Sequence, residues 1–458
     1  MKQLVTVTAI AAACLLSACA PTPHAVPVAT HAALPDSFST TSANATATVH
    51  EGWWKLLGDA QLNALVDEAL AHNSDLQQAL ARVEEARANW GVADAARLPT
   101  VDATLTSSTS RSFDTTGLHH SRAIQPGVQA SWEPDLWGRI ASQTQAAHSK
   151  LAASQADRDA VALSVVATTV QTWTGLLSLQ EQVRTTEATA QSRAKALQLA
   201  QDQQRVGYTS QLQMSQAEAE YENVQQQLQA LQWALRKQEN ALNVLLGSAG
   251  RHFAPSAGRL AALQLPPVPQ ALPSDLLNRR PDIARAQHLL AASDAAMAVQ
   301  RAAFMPQVRL SASVGSLMVN ALDFDPVKLW SLGGSVLAPV FNAGRLQAQL
   351  DAATAQRDQA AWAYRSVVLN AFADVENALT GTERLAQQLQ HAEQRVAVLE
   401  RNVGFAQDRY QAGYASHLEV LDAQRNQYAA QLEVVRVRQQ ALDNRVALYK
   451  ALGGGWQK

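Results

Sequence analysis

The sequence predicts a mainly helical protein that also carries four amphipathic strands, built as two tandem copies of one unit. Long-range recurrence is the first observation. Gly207-Tyr208-Thr209-Ser210-Gln211-Leu212 recurs 206 residues later as Gly413-Tyr414-Ala415-Ser416-His417-Leu418. Gly138-Arg139-Ile140 and Ala241-Leu242 recur at the same offset, as Gly344-Arg345-Leu346 and Ala447-Leu448. Asp75-Leu76 and Leu98-Pro99 recur at 207, as Asp282-Ile283 and Met305-Pro306, so one residue slips between Pro99 and Gly138. This period is far too long for a solenoid. The second observation is an uninterrupted helical pattern of about 65 residues in each copy, roughly 100 Å at 1.5 Å per residue. The third is a stretch of period-two alternation in each copy, as half-exposed strands require.

The chain opens with Lys2, an apolar run over residues 5–16, and Leu16-Ser17-Ala18-Cys19. A basic start, an apolar core and small residues before the cut predict a signal peptide over 1–18. The Cys after Leu-Ser-Ala resembles a bacterial lipobox, which implies cleavage before Cys19 and its acylation. Ala20 rather than Asp follows the Cys, which by the same resemblance implies the outer membrane. Residues 19–55 then form a lipidated tether.

The first copy spans 56–262. A helical segment runs over about 56–97 and Pro99 ends it. A strand pair at about 99–137 follows, then the long helix over 139–205. Gly207 permits a tight turn, Ser210 can cap the returning helix, and Gly247 suits its end. The second copy, 263–458, repeats the plan: a helix over about 274–304, Pro306, a strand pair at about 306–341, a helix over 345–410, Gly413, Ser416 and Gly453. The returning helix carries a heptad, with Tyr221, Leu228, Leu235 and Leu242 at one seam position and Val224, Leu231 and Leu245 at the other; Gln238 interrupts it. Such a seam packs sideways against a neighbouring helix. The rest of the surface is polar, as in the wall of a water-filled tube rather than a solid bundle.

In the strands, Val101, Ala103 and Leu105 alternate with Asp102, Thr104 and Thr106, and Val308, Leu310, Ala312 and Val314 with Arg309, Ser311 and Ser313. Polar loops are expected at 107–121 and 318–328. Trp132, Trp137, Trp330 and Phe341 stand near the strand ends, where membrane barrels place aromatics. Four strands leave two open edges, which lipid does not tolerate. If they span a membrane, several chains must pool them into one barrel; the physics does not fix how many. Residues 160–179 carry no charge and are long enough to span a bilayer. Their counterparts, 366–385, include Asp374, Glu376, Glu383 and Arg384, so neither copy is expected in lipid.

Composition excludes several classes. Cys14 leaves with the signal and Cys19 carries lipid, so the two cysteines of the chain leave no disulfide and no thiolate metal site. A formal charge of −2 shows no footprint for nucleic acid. No nucleophile elbow, phosphate loop or His-Glu-x-x-His stands in the sequence. His119-His120, expected in an outer loop, has no partners for a metal. No enzyme, cofactor or metal is expected.

These residues resemble the outer membrane factors, the TolC-like, NodT-type lipoproteins of tripartite efflux pumps. The resemblance covers nearly the whole mature chain. It rests on Gly52-Trp53-Trp54, Asn73-Ser74-Asp75-Leu76, Trp132-Glu133-Pro134-Asp135-Leu136-Trp137-Gly138-Arg139, Leu272-Pro273-Ser274-Asp275-Leu276-Leu277, Arg279-Arg280-Pro281-Asp282-Ile283, Ala302-Ala303-Phe304-Met305-Pro306-Gln307-Val308, Pro339-Val340-Phe341-Asn342-Ala343-Gly344-Arg345 and Val420-Leu421-Asp422-Ala423-Gln424. It implies a homotrimer with a twelve-stranded barrel in the outer membrane and an α-barrel of twelve helices in the periplasm. The partners implied are a periplasmic membrane-fusion adaptor, an inner-membrane pump and outer-membrane lipid. The function implied is a passive exit duct for drugs or other small toxic compounds. Type I protein secretion and heavy-metal export remain alternatives, and a lipidated periplasmic adaptor or scaffold is a more distant one. By position, Gly207, Tyr208, Ser210 and Leu212, with Gly413, Tyr414, Ser416 and Leu418, match the tips where the adaptor docks. Leu418, Asp422 and Arg425, at i, i+4 and i+7 on one helix face, match the periplasmic gate. Three Asp422 around one axis repel unless paired, which makes Arg425 the natural partner. The first copy has Gln216 in place of Asp422, so the gate is expected at the second tip.

Overall fold

The computed structural model describes residues 35, 37–38, 52–115, 117–254, 259–269 and 273–456. Cys19, the signal peptide and nearly all of the tether lie outside the described residues. The element order is α1 (Ala60–His72), α2 (Ser74–Ala95), β1 (Thr100–Asp114), β2 (Gly117–Trp132), α3 (Arg139–Arg205), α4 (Gln211–Leu245), α5 (Pro281–Ala302), β3 (Gln307–Val319), β4 (Val327–Leu337), α6 (Arg345–Gln411) and α7 (His417–Ala451). Single helical turns occupy Trp53–Leu57, Arg259–Ala262, Pro273–Asp275, Leu276–Arg279 and Asn320–Leu322. The long helices match expectation closely: α3 and α6 each have 67 residues, and α4 and α7 each have 35. The first helical segment is two helices rather than one, broken at Asn73.

Two compact units result, and each draws on both halves of the sequence. Among the described residues, one comprises those within 81–155 and 285–366; the other those within 35–80, 156–284 and 367–456.

The first unit contains one antiparallel sheet in the order β1-β2-β3-β4, with β1 and β4 at its edges. The β1–β2 ladder runs without a break from Thr100↔Ser131 to Asp114↔Gly117. Residues 107–114 and 117–121, expected as a polar loop, are therefore strand. Alternating Ser and Thr pair well across a ladder although they give no hydrophobic signal. His119 and His120 accordingly lie in β2, not in a loop. In the second hairpin a connection of seven residues separates β3 from β4. The β2–β3 seam joins the two copies. Pro126 has no N–H to give to it, and Gly127 and Gly315 face each other there. A Cβ on Gly315 would stand 2.6 Å from the Pro126 carbonyl oxygen.

The strand-to-helix joints are held by the sequence pieces that mark them. Trp132 Nε1 donates to the Arg97 carbonyl at 2.9 Å, and Trp137 Nε1 to that of Pro306 at 2.6 Å. Asp135 accepts from the amides of Ile140 (3.0 Å) and Ala141 (2.6 Å), satisfying orphan donors at the start of α3. Asn342 does the same for Leu346 at the start of α6, at 3.2 Å. Gly138 and Gly344 turn the chain into each helix at φ 71° and 82°.

The second unit is helical. Residues 160–179 lie within α3, and Val165, Val166, Val170, Trp173, Leu176 and Leu177 are buried there together with Thr169, Thr174 and Ser178. The absence of charge thus reflects a protein core. Trp173 Nε1 donates to Asp59, whose carboxylate also caps α1. Asn73 ends α1 and starts α2: its Oδ1 accepts from Asp75 and Leu76, and its Nδ2 donates to the Leu245 carbonyl at 3.0 Å. Trp53 is buried and stacks on Tyr449, ring centroids 5.2 Å apart.

Gln238, which interrupts the heptad, has a partner. Its side-chain amide donates to the Thr172 carbonyl at 2.8 Å, in space left by Gly175. The same contact occurs 206 residues on. Asn444 donates to Ala378 at 2.9 Å and to Thr382 Oγ1 at 3.1 Å, over Gly381. Mid-helix glycine is unfavourable by itself; here its missing side chain lets a polar group cross between helices.

Gly381→Ala should therefore lower the thermal unfolding midpoint. The new methyl displaces Asn444 from two hydrogen bonds worth about 1 kcal/mol each, more than the ~1 kcal/mol of helix propensity gained. Gly91→Ala in α2, where nothing lies within 4 Å, should raise it. Circular dichroism melts check both.

Candidate functional site

The two helix turns of the second unit share one backbone solution. At the first, Gly207 N–H donates to the Gln204 carbonyl (3.1 Å) and Tyr208 N–H to Gln203 (2.8 Å). At the second, Gly413 N–H donates to Tyr410 (3.0 Å) and Tyr414 N–H to Arg409 (2.9 Å). This pair of bonds satisfies the last carbonyls of a helix and requires a left-handed residue; Gly207 and Gly413 have φ 83° and 77°.

The helix starts then differ. Ser210 forms a reciprocal capping box with Gln213. Ser416 has the same backbone angles but no side-chain cap bond. Glu419 lies instead 3.8 Å from Arg409, across the turn. Apolar surface is left bare at both turns: Tyr208 and Tyr414 are 87% and 80% exposed, Leu212 67% and Leu418 50%. Aromatic side chains are enriched where a protein surface meets a partner.

Leu418, Asp422 and Arg425 lie along one face of α7. Asp422 is exposed and accepts from Asn426 Nδ2 at 3.2 Å. Arg425 pairs within its own protomer with Glu220 of α4: Nε and Nη2 both reach Oε1, at 2.8 and 2.5 Å. Glu220 was not singled out by the sequence reading. It is buried, and it shares the seam of α4 with Ala217, Val224 and Leu228, which are buried as well. Tyr221, placed in that seam by the heptad, is half-buried. The legible signal was a carboxylate at an apolar position, three residues after Ala217 and four before Val224.

A second cation completes the cluster. Arg193 of α3 is buried and donates to Gln424 of α7. Burial lowers its pKa, the Glu220 charge opposes that, and Arg425 adds to it. One buried carboxylate thus serves two guanidinium groups from two other helices, with α4 the common partner. His417, at the start of α7, stands by Tyr410, ring centroids 5.3 Å apart. Burial first, and Arg193 second, hold its imidazole below the ordinary range.

The sheet of the first unit sorts its side chains by face. Register puts Val101, Ala103 and Leu105 of β1 with Pro126, Val128, Ala130 and Trp132 of β2. Leu310, Ala312 and Val314 of β3, and Trp330, Leu332 and Val336 of β4, continue the same face. Asp102, Thr104, Thr106, Gln129, Arg309, Ser311, Ser313 and Ser331 take the other, with Leu317, Val319, Val327 and Leu329 nearer the second hairpin's tip. Among the described residues, no group of three or more His, Cys, Asp or Glu could hold a metal ion.

A family model for outer membrane efflux proteins matches residues 65–248 and 272–454. The pyoverdine export outer membrane protein OpmQ of Pseudomonas aeruginosa is 34% identical over 467 residues, covering 100% of this chain and 98% of that protein. The toluene efflux pump outer membrane protein TtgC of Pseudomonas putida is 32% identical, covering 95% and 91%. Among solved structures, the open state of the MtrE outer membrane channel of Neisseria gonorrhoeae superposes with a TM-score of 0.82 at 28% identity, covering 95% of this chain and 98% of that one.

The depressed His417 pKa has a sign. The unfolded imidazole takes up its proton first as pH falls, so the stability tied to neutral His417 is present above about pH 6.5 and lost as pH falls through the lower folded value. Amide hydrogen exchange at the α6–α7 turn, taken relative to the intrinsic rate at each pH, should therefore speed up between pH 7 and 5.5. The His417→Gln variant should lose that acceleration.

Proposed function

The chain belongs to the outer membrane efflux protein family, and from that premise we propose that three copies close one channel from the outer membrane into the periplasm. It is an outer membrane efflux channel. The reading of how it works is carried by one observation: a four-stranded sheet with one apolar face and two unpaired edges. Exposed backbone donors and acceptors are not tolerated in hydrocarbon. Edge β1 of one copy meeting edge β4 of the next removes them, and three copies give a twelve-stranded barrel. The apolar face turns to lipid and the Ser- and Thr-rich face lines the pore.

The long helices continue the wall into the periplasm. Each half of the chain supplies one long and one returning helix, in the manner of two copies of one unit, 56–262 and 263–458. The turns at Gly207 and Gly413, with Tyr208, Ser210, Leu212, Tyr414, Ser416 and Leu418, form the surface that meets a periplasmic adaptor, which in turn meets an inner-membrane pump. Acylation at Cys19 tethers each chain to the membrane that the barrel spans. Nothing in such a duct calls for catalysis. OpmQ and TtgC are named for pyoverdine and toluene, which favours small organic cargo over secreted protein.

At the second turn, Leu418 narrows the tube. Rings of three Asp422 and three Arg425 below it form the gate. Glu220 holds each Arg425 in place from its own protomer, leaving Arg425 able to offer its remaining N–H groups to a neighbour's Asp422. Gln216, the counterpart of Asp422 in the first copy, cannot contribute charge.

Asp422→Ala combined with Arg425→Ala should raise single-channel conductance in planar bilayers, whereas Gln216→Ala should leave it at the wild-type value. Unchanged conductance in the double variant contradicts the gate assignment. Absence of any channel activity in the wild type contradicts the channel reading as a whole.

A further inference from the structure

Beyond the apolar band, the lipid-side face of the first hairpin becomes basic. Moving along β1 from Val101, Ala103 and Leu105, the same face presents Ser107, Thr109 and Arg111. On β2 it presents Ile124, Arg122 and His120, and nearer the turn Leu118 stands opposite Phe113 of β1. Register sets Arg111 directly opposite His120 and Thr109 opposite Arg122, so the two arginines are diagonal neighbours. Directly opposed pairs bring their Cβ atoms to about 5 Å and diagonal ones to 7–8 Å. Lys328 lies on the same face at the tip end of β4, opposite Ser316. Arg111, His120, Arg122 and Lys328 are all exposed. Among the described residues of the four strands, this face carries no Asp or Glu; Asp102 stands on the other face.

Cations crowded together on one face of a sheet are unfavourable without an anion, and cations on a lipid-facing surface are tolerated only near the interface. The spacing meets the second condition. From Val101 to Arg111 the strand climbs about 33 Å, or about 25 Å of depth at a tilt near 40°. That is the height of the apolar band of an outer-membrane barrel. The basic group therefore falls at the headgroups of the leaflet remote from the helices. Arginine forks match phosphate oxygens in shape and charge.

We infer that Arg111, His120 and Arg122 seat the phosphate of a phosphorylated lipid in the outer leaflet, whose acyl chains lie on the apolar band beside them. The inference rests on the reading that these strands cross the membrane. The phosphate accepts from both guanidinium groups and from the imidazole, and it removes their mutual repulsion. Lys328 serves a lipid on the second hairpin.

Full-length acylated protein in nanodiscs would be titrated with three probes: bisphosphorylated lipid A, the same lipid enzymatically dephosphorylated, and inorganic phosphate. Lipid retained per chain would be read by native mass spectrometry. The bisphosphorylated lipid should bind about tenfold more tightly than the dephosphorylated one, and inorganic phosphate should not compete at matched concentration. Arg111→Gln combined with Arg122→Gln should abolish the preference. Equal retention of the two lipids by the wild-type protein overturns the inference, whatever the variant does, and so does competition by free phosphate. Conductance in planar bilayers of the same lipids reports insertion separately. A conducting protein indifferent to lipid phosphate overturns this inference alone, while a protein that never inserts overturns the membrane reading with it.

Discussion

An unpaired β-edge cannot face hydrocarbon. Each peptide unit left open there forfeits its bonds to water and gains nothing in return. The rest of this molecule follows from that constraint. Four strands with an apolar face and two bare edges would be an incomplete object in a membrane, which on the proposed reading other copies of the same chain complete. In the proposed trimer, closing the strands would also bring three copies of each helix around one axis. There Asp422 and Arg425 would recur as threefold charge rings rather than as one solvated i,i+3 pair, which on a helix surface is worth only a few tenths of a kcal/mol.

Polar groups help set how the helices meet. Apolar residues such as Val224 and Leu242 of α4 and Val437, Leu442 and Val446 of α7 are buried between helices, and side-chain amides set over glycines add polar contacts there. Gln238 over Gly175 and Asn444 over Gly381 are the same device in the two halves. An amide that donates to a neighbouring helix carbonyl fixes axial register, because sliding by one residue leaves it unpaired. At the tips, charge does this work. Glu220 of α4 pairs with Arg425 of α7, and Arg193 of α3 bonds Gln424 of α7 close enough to feel the Glu220 charge. Burying that carboxylate costs desolvation, which the nearby cations offset, so loss of Arg425 would leave a buried charge uncompensated.

Much of this was legible in the sequence. The long helices were placed almost to the residue because Gly138, Gly207, Gly344 and Gly413 punctuate them and the 206-residue offset cross-checked each boundary. The helix turns were legible for the same reason, since only glycine takes the left-handed angle there at no cost. The strand tips were not. Ser107 to Ser110 and Ser121 are polar on both faces, so period-two alternation vanishes where pairing continues. The Asn73 break was hidden because Asn is unremarkable within a helical pattern; its role appears only when its amide reaches the Leu245 carbonyl from 172 residues away. Glu220 was missed for a related reason. A heptad read on one helix places Tyr221 in the seam, and the true seam is set by α7, whose Arg425 supplies the charge that lets a carboxylate be buried.

The closure of the sheet can be tested at its edges. Beyond Cys14 and Cys19 the chain has no cysteine, so single cysteines can be placed on β1 in one population and on β4 in another. Oxidation in outer-membrane fractions of cells co-expressing both should then link β1 of one copy to β4 of the next. A variant carrying both cysteines should give covalent species that stop at three chains. Species that never exceed one chain, or an open ladder with no end, would contradict the closed ring on which the account depends.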